Sequence, residues 1–335
     1  MGRWDNAIAI ENNIFQERQR NLGADHASTI QTACDLAYLF RLAERANDAA
    51  LWVDWALPTS RRVLGSDHQL TLKAESLKSA VLYLRGEMEK AEEDCVNVFL
   101  RQQEQLGEDH PDTLETQRLL AEICDERGKK AEGWDRLFSW AQKVERSFGE
   151  NHLRTHDAVL ALYETKYPMT ADMFQFHVVE PAMKRTLEAL KRDIPAACSP
   201  NHPLALRCLR IWGIWQSHES VRAGTEASDT LRRGLSASEQ ALGVDHPETM
   251  KFVANIAVLF YKRNMWKDAA PWFEKYAKWF AERRGSTHPE SLGTLKVLGQ
   301  MYMASRDWPK AQNSRYFDFA LTHNLHTRSN LYRIL

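Results

Sequence analysis

Gly107-Glu108-Asp109-His110-Pro111-Asp112-Thr113-Leu114 decides the fold, because versions of its first four residues return along the whole chain. Copies stand at Gly23 to His26, Gly65 to His68, Gly149 to His152, Gly243 to His246 and, weakened, Gly285 to His288, and a copy without its glycine ends at Asn201-His202. The histidines lie 42, 42, 42, 50, 44 and 42 residues apart, a spacing that marks an internal structural repeat. Each motif punctuates two helices. Its glycine suits the left-handed turn that ends one helix, and the Asp and His-Pro suit the first positions of the next. Pro111, Pro203, Pro247 and Pro289 all follow their histidine directly.

Working outward, pairs such as Thr71-Leu72 and Thr113-Leu114 open a stretch with apolar residues at helical spacing. After a break near Gly86 or Gly128, a second helix carries an alanine 23 residues past the histidine, at Ala49, Ala91, Ala269 and Ala311. A small residue there lets two antiparallel helices approach closely. The fold class predicted is all-α: a right-handed α-solenoid of antiparallel helix hairpins with a 42-residue period. We expect one array over 1–335, with a lone second helix at 1–22, repeats at 23–64, 65–106, 107–148, 149–198, 199–242, 243–284 and 285–326, and a tail at 327–335. Gly2-Arg3-Trp4 stands where a second helix normally starts, so the first helix is expected to lack a preceding partner.

The period fails twice. Aligning Ala182 with the other small residues places seven extra residues within Tyr167 to Phe174, where Pro168 is expected to end a helix. Two more fall near Ser217 to Gly224, and Pro195 and Pro200 mark an irregular link at Ala196 to Ser199.

Composition excludes several classes of function. With 44% apolar and 27% charged residues the chain can build a core and has no disordered signature. Forty-four Lys and Arg against 45 Asp and Glu leave no basic field of the kind nucleic acid requires. Cys34, Cys95, Cys124, Cys198 and Cys208 are odd in number and form no CxxC pair, so reduced, mostly buried thiols are expected rather than a disulfide framework or a zinc site. No signal segment or membrane span is visible, which makes the cytoplasm the expected compartment. No HExxH, EF-hand, P-loop, GxGxxG or GxSxG pattern occurs, so no catalytic motif, metal or cofactor is expected. Seven of the twelve histidines belong to the repeat motif, and His323-Asn324-Leu325-His326 lacks further ligands.

The unit GxDHPxTL, an Asn-Leu-Ala-type segment seen as Asn255-Ile256-Ala257, and Gly2-Arg3-Trp4 together resemble the kinesin-light-chain-like tetratricopeptide repeat (TPR), in the style of fungal arrays. The resemblance covers nearly the whole chain. It implies a TPR superhelix whose first helices line the inner surface, so that positions at helical spacing form columns facing a ligand. Nine residues after the histidine the resembling family commonly has Asn, able to grip an extended peptide backbone. Here that column reads Asp35, Leu77, Leu119, Ala161, Ile211, Asn255 and Val297, and only Asn255 keeps the amide.

Flanking columns supply charge. Glu115, Glu122, Asp157 and Glu164 read as an acidic patch, and Arg207, Ile211, Ile214, Trp215 and Val258 as an apolar and aromatic region, with Tyr38 also on the face. A ligand with a cationic and an apolar part would complement both. Alternatively, the acidic residues solvate an exposed face and Trp215 packs inside its hairpin. Trp4, Trp266 and Trp308 share one repeat position and read as packing residues, as do Trp52, Trp55, Trp134, Trp140, Trp272 and Trp279 on second helices. The leading expectation is a scaffold or adaptor that binds a peptide or protein segment in its concave groove. The other is an array adapted to bind or transform a small molecule, with Leu77, Leu119, Ile211 and Val297 as a pocket wall.

Overall fold

The computed structural model describes residues 4–169, 173–219, 223–286 and 288–305. They form fourteen helices and, among the described residues, no strand: α1 Trp4–Leu22, α2 Ala27–Leu42, α3 Ala46–Leu64, α4 Gln69–Leu84, α5 Met88–Leu106, α6 Pro111–Glu126, α7 Lys130–Phe148, α8 Leu153–Met169, α9 Met173–Ala197, α10 Pro203–Glu219, α11 Ala223–Ala241, α12 Pro247–Lys262, α13 Trp266–Arg284 and α14 Pro289–Ala304. Trp308, Ala311 and the His323–His326 pair lie outside the described residues. The chain divides into two compact units, Arg3–Thr165 and Lys166–Leu335. Each is an α-solenoid of helix hairpins in which successive helices pack on one another.

The repeat motif works as a joint between hairpins. Its glycine takes the left-handed backbone that L-residues avoid, with φ 90° at Gly65 and 94° at Gly107. The histidine is the N-cap: Nδ1 of His26, His68, His110, His152, His202, His246 and His288 each accepts the backbone N–H two residues on, at 3.1 to 3.2 Å. A hydroxyl three residues past the histidine then closes the turn. Thr29, Thr71, Thr155, Thr249 and Ser291 donate to the glycine carbonyl of their own joint at 2.6 to 2.9 Å. Proline at the first helical position loses nothing, since that N–H has no partner in the helix.

In the N-terminal unit, α2 pairs with α3, α4 with α5 and α6 with α7. Ala49, Ala91 and, at the same position, Gly133 are buried where the paired helices approach. A Cβ on Gly133 would come within 3.0 Å of the Ala121 carbonyl oxygen. Beyond these pairs, α2 packs on α4 and α4 on α6, while among the described residues no two second helices pack as extensively. Drawing first helices together and splaying second helices makes the first-helix side the inner side of the unit. In the C-terminal unit α10 likewise packs on α12, and a buried ion pair joins them, Arg210 Nε to Glu248 Oε1 at 2.6 Å.

The tryptophans of the second helices are packing residues. Trp52 and Trp55 meet the Phe15 ring edge-on. Trp140 and Trp279 are buried, and Trp279 donates its ring N–H to the Asp245 carbonyl. Cys34, Cys95, Cys124 and Cys208 are buried free thiols, and burial pushes Cys34 and Cys208 up to about 12.

α8 ends at Met169, one residue past Pro168, and residues 170–172 lie outside the described ones. The expectation at Pro195 needs correction: it does not open a link, since α9 continues to Ala197 and is 25 residues long, against 19 for α3, α5, α7 and α13. Most of the extra residues lengthen a helix instead of forming a loop. Proline is tolerated near a helix end when the i−4 carbonyl finds another partner, and the sequence alone does not reveal that.

Candidate binding face on the first helices

The expected site residues fall into two sets, one in each unit. In the N-terminal unit, Asp35, Tyr38, Glu115, Glu122, Asp157 and Glu164 are half-buried on first helices. They are not a bare acidic patch. Asp35 accepts from Lys73 Nζ at 2.8 Å and from the Gln31 amide. Burial opposes the Lys73 charge, but the Asp35 hydrogen bond and field outweigh it and raise its pKa above the ordinary lysine value. Glu115 Oε1 takes two guanidiniums, Arg41 Nη2 at 2.5 Å and Arg118 Nη2 at 3.1 Å. Arg118 Nη1 lies 3.4 Å from Glu122, and Asp157 adds to the field on the same guanidinium. Arg41 also sits over the Tyr38 ring, 4.9 Å from its centroid. Burial works against the Glu115 charge, yet Arg118 and Arg41 hold its carboxyl down to about 2.

Arg41 and Arg118 complete the face. Arg118 carries a sequence signal: it stands three residues after Glu115 and four before Glu122, the spacing at which helical side chains meet. Arg41 lies one turn past Tyr38 on the same column.

The apolar wall is corrected more fully. Leu77 and Leu119 belong to the hydrophobic core, and Ile211 and Val297 are sealed as well. Neighbouring first helices pack at this column, so an apolar side chain there merges into the core and only a polar one keeps contact with water. Trp215, expected as the groove aromatic, is 1% exposed and stacks on Trp212 with centroids 4.9 Å apart. Lys191 covers Trp212 at 4.3 Å. Arg207, Ile214, Asn255 and Val258 remain half-buried on the inner helices of the C-terminal unit. Asn255 Nδ2 makes no hydrogen bond among the described residues.

One cluster has metal-ligand chemistry. Glu92, Cys124 and Glu132 bring their ligand atoms within 4.8 Å of one another. Glu92, however, already accepts from Arg127 and from Lys129 Nζ at 2.5 Å, and Glu132 accepts from Arg136. Those cations compensate the carboxylates, and burial raises the Cys124 thiol. No helix among the described residues is long and apolar enough to cross a membrane.

The hairpins of α4 to α7, with small residues at the close approaches and a histidine cap on each first helix, are the geometry of a known repeat. Residues 70–132 match the family model for the tetratricopeptide repeat. That segment holds most of α4, all of α5 and α6, and the start of α7. No curated protein matches the chain. Similar solved structures include the kinesin light chain nearly identical TPR-like repeats of Podospora anserina, at 15% identity and TM-score 0.37, covering 77% of this chain and 97% of that one. A point variant of those repeats aligns at 14% and 0.36 over 76% and 96%. BtubC (BKLC) from P. vanneervenii aligns at 14% and 0.31 over 97% and 94%. These superpositions are loose, and the family relation stands on residues 70–132.

Proposed function

We propose that the chain is a protein-interaction module that holds a peptide or protein segment along the inner faces of its first helices. Tetratricopeptide repeats generally mediate protein–protein interaction, and the match over residues 70–132 supports that class. The observation that carries the finer reading is the contrast along the first helices. Apolar side chains at Leu77, Leu119, Ile211 and Val297 are closed off in the core, while polar and aromatic ones at Asp35, Tyr38, Glu122, Asp157, Arg207 and Asn255 stay half-open. A face of that kind suits a ligand recognised by hydrogen bonds and charge, as a peptide backbone with side chains is. The carboxylates of Glu122, Asp157 and Glu164, half-buried on the inner side, favour a segment with cationic side chains. A small-molecule pocket loses its support, because the residues expected to wall it are not accessible.

Site-specific photo-crosslinking tests the reading. A benzoylphenylalanine at Tyr38 or Val258, irradiated in extract from the native cells, should capture discrete partner peptides. The same probe at Leu51, 70% exposed on second helix α3, should not. Equal capture at Leu51 would place binding elsewhere.

A further inference from the structure

The Arg41–Glu115 pair links α2 to α6, first helices separated in sequence by the entire α4–α5 hairpin. In a solenoid each repeat contacts its neighbours, and stability is a sum of nearest-neighbour terms. An ion pair that skips a repeat stands outside that sum. At the repeat positions of Arg118 and Glu122, α4 carries the small Ser76 and Ala80, while Lys73, at the position of Glu115, turns to Asp35, and Tyr83 stands at that of Arg41. Long side chains from either flank can meet above the two small ones. The pair is also better built than a surface bridge. Arg41 is 11% exposed, it packs over the Tyr38 ring, and Arg118 fixes the same carboxylate oxygen from within α6.

We propose that Arg41 and Glu115 form a clasp that sets the curvature of the N-terminal unit, and with it the width of the inner face between α2 and α6. Within one hairpin the helices are held by apolar packing, which loss of the pair leaves intact. Between alternate hairpins the clasp opposes unbending. Arg118 is a positioning residue for Glu115; among the described residues its ion pairs stay within α6 and it meets α2 only through the field of Tyr38, so the two arginines have separable roles.

Spin-label distances separate them. Labels at Leu51→Cys on α3 and Asp135→Cys on α7 occupy the same repeat position on exposed second-helix sites two hairpins apart. The background carries Cys198→Ser, since the other four thiols are buried. If the clasp bends the unit, Arg41→Gln and Glu115→Gln should each shift the distance distribution to shorter values and broaden it, because unbending brings the splayed second helices together. Arg118→Gln should leave the mean distance unchanged. Circular dichroism should show full helicity in all three variants. Parent-like distances in both Arg41→Gln and Glu115→Gln overturn the clasp, as does an equal shift in Arg118→Gln. The readout needs no ligand, so it stands or falls separately from the binding reading.

Discussion

Ser238 and Thr249 share a hydrogen bond of 2.6 Å, both hydroxyls sealed from solvent at the α11–α12 joint. Gln102 and Thr113 hold the same two repeat positions at the α5–α6 joint and are equally buried, yet neither Gln102 amide atom nor the Thr113 hydroxyl makes a hydrogen bond among the described residues. Thr113 also lacks the bond to its joint glycine that Thr71 and Thr155 make. The amide at this position finds no partner where the Ser238 hydroxyl does. Val144 and Phe280 occupy this position in other repeats, so an apolar side chain fits there. Gln102→Leu should therefore raise stability by about 1–2 kcal/mol, by removing two unsatisfied polar atoms at similar volume. Urea denaturation measures it, and a lower midpoint would show that the amide is satisfied in solution.

The histidine caps make a graded prediction. His110→Ala should cost about 1 kcal/mol, since the Asp112 N–H loses its acceptor. His110→Asn should recover most of that loss. If Ala and Asn variants melt alike, the cap is not what the histidine supplies.

Gly234 is fixed by its neighbour on α12. A Cβ there would lie 2.3 Å from Cε1 of Phe252, a ring with no exposed surface and no room to withdraw. Gly234→Ala should destabilise the C-terminal unit by about 1–3 kcal/mol through overpacking. Gly213→Ala meets Cδ2 and Cγ of Leu231 at 2.7 and 2.8 Å, longer than the Gly234 clash, and should cost less. Paired thermal melts of the two variants test the order.

Glu115 gives a pH dependence whose sign is set by its depressed pKa. Its contribution is fully present above the ordinary glutamate value near 4.5, and it is lost as pH falls toward about 2, where the folded carboxyl takes up its proton. Because the side chain is 37% exposed, solvent screening holds the effect to about 1 kcal/mol. Wild type should exceed Glu115→Gln in stability by that margin at pH 6, and the two should converge near pH 2. A constant difference across the range would mean the shift is absent.

For binding, reversing Glu122 and Asp157 together to lysine should weaken a cationic partner roughly tenfold, equivalent to about 1.4 kcal/mol. Glu115 is left out of the variant, because its carboxylate oxygen is shared by Arg41 and Arg118, whereas Glu122 meets Arg118 at the longer distance of 3.4 Å. Calorimetry with the crosslinked peptide provides the measurement.

The helices were legible because their punctuation repeats: a glycine, a histidine and often a proline at fixed offsets recur often enough to fix the period. The left-handed position between paired helices was readable at Gly86 and Gly128, but Glu44 and Asn264 take the same backbone with φ 57° and 59° and gave no glycine to read. The site was legible only as columns. Helical spacing assigned residues to the inner side, and it could not say how deep each would sit. Trp215 and Leu119 disappear into packing between helices, a property of two surfaces at once. Arg41 and Glu115 meet across 74 residues, a contact that no local pattern announces.

The joints are nearly superposable in backbone, with φ, ψ of 90°, 168° at Gly65 and 94°, 162° at Gly107, and −70°, 141° at His68 against −65°, 138° at His110. They act as standard couplings. Excising residues 65–106 would bring the end of α3 to the start of α6 through a junction of the same shape, shortening the molecule by one whole module without a new loop. A gene of this kind can gain or lose length by recombining between its own couplings, and the register of every remaining helix survives the exchange.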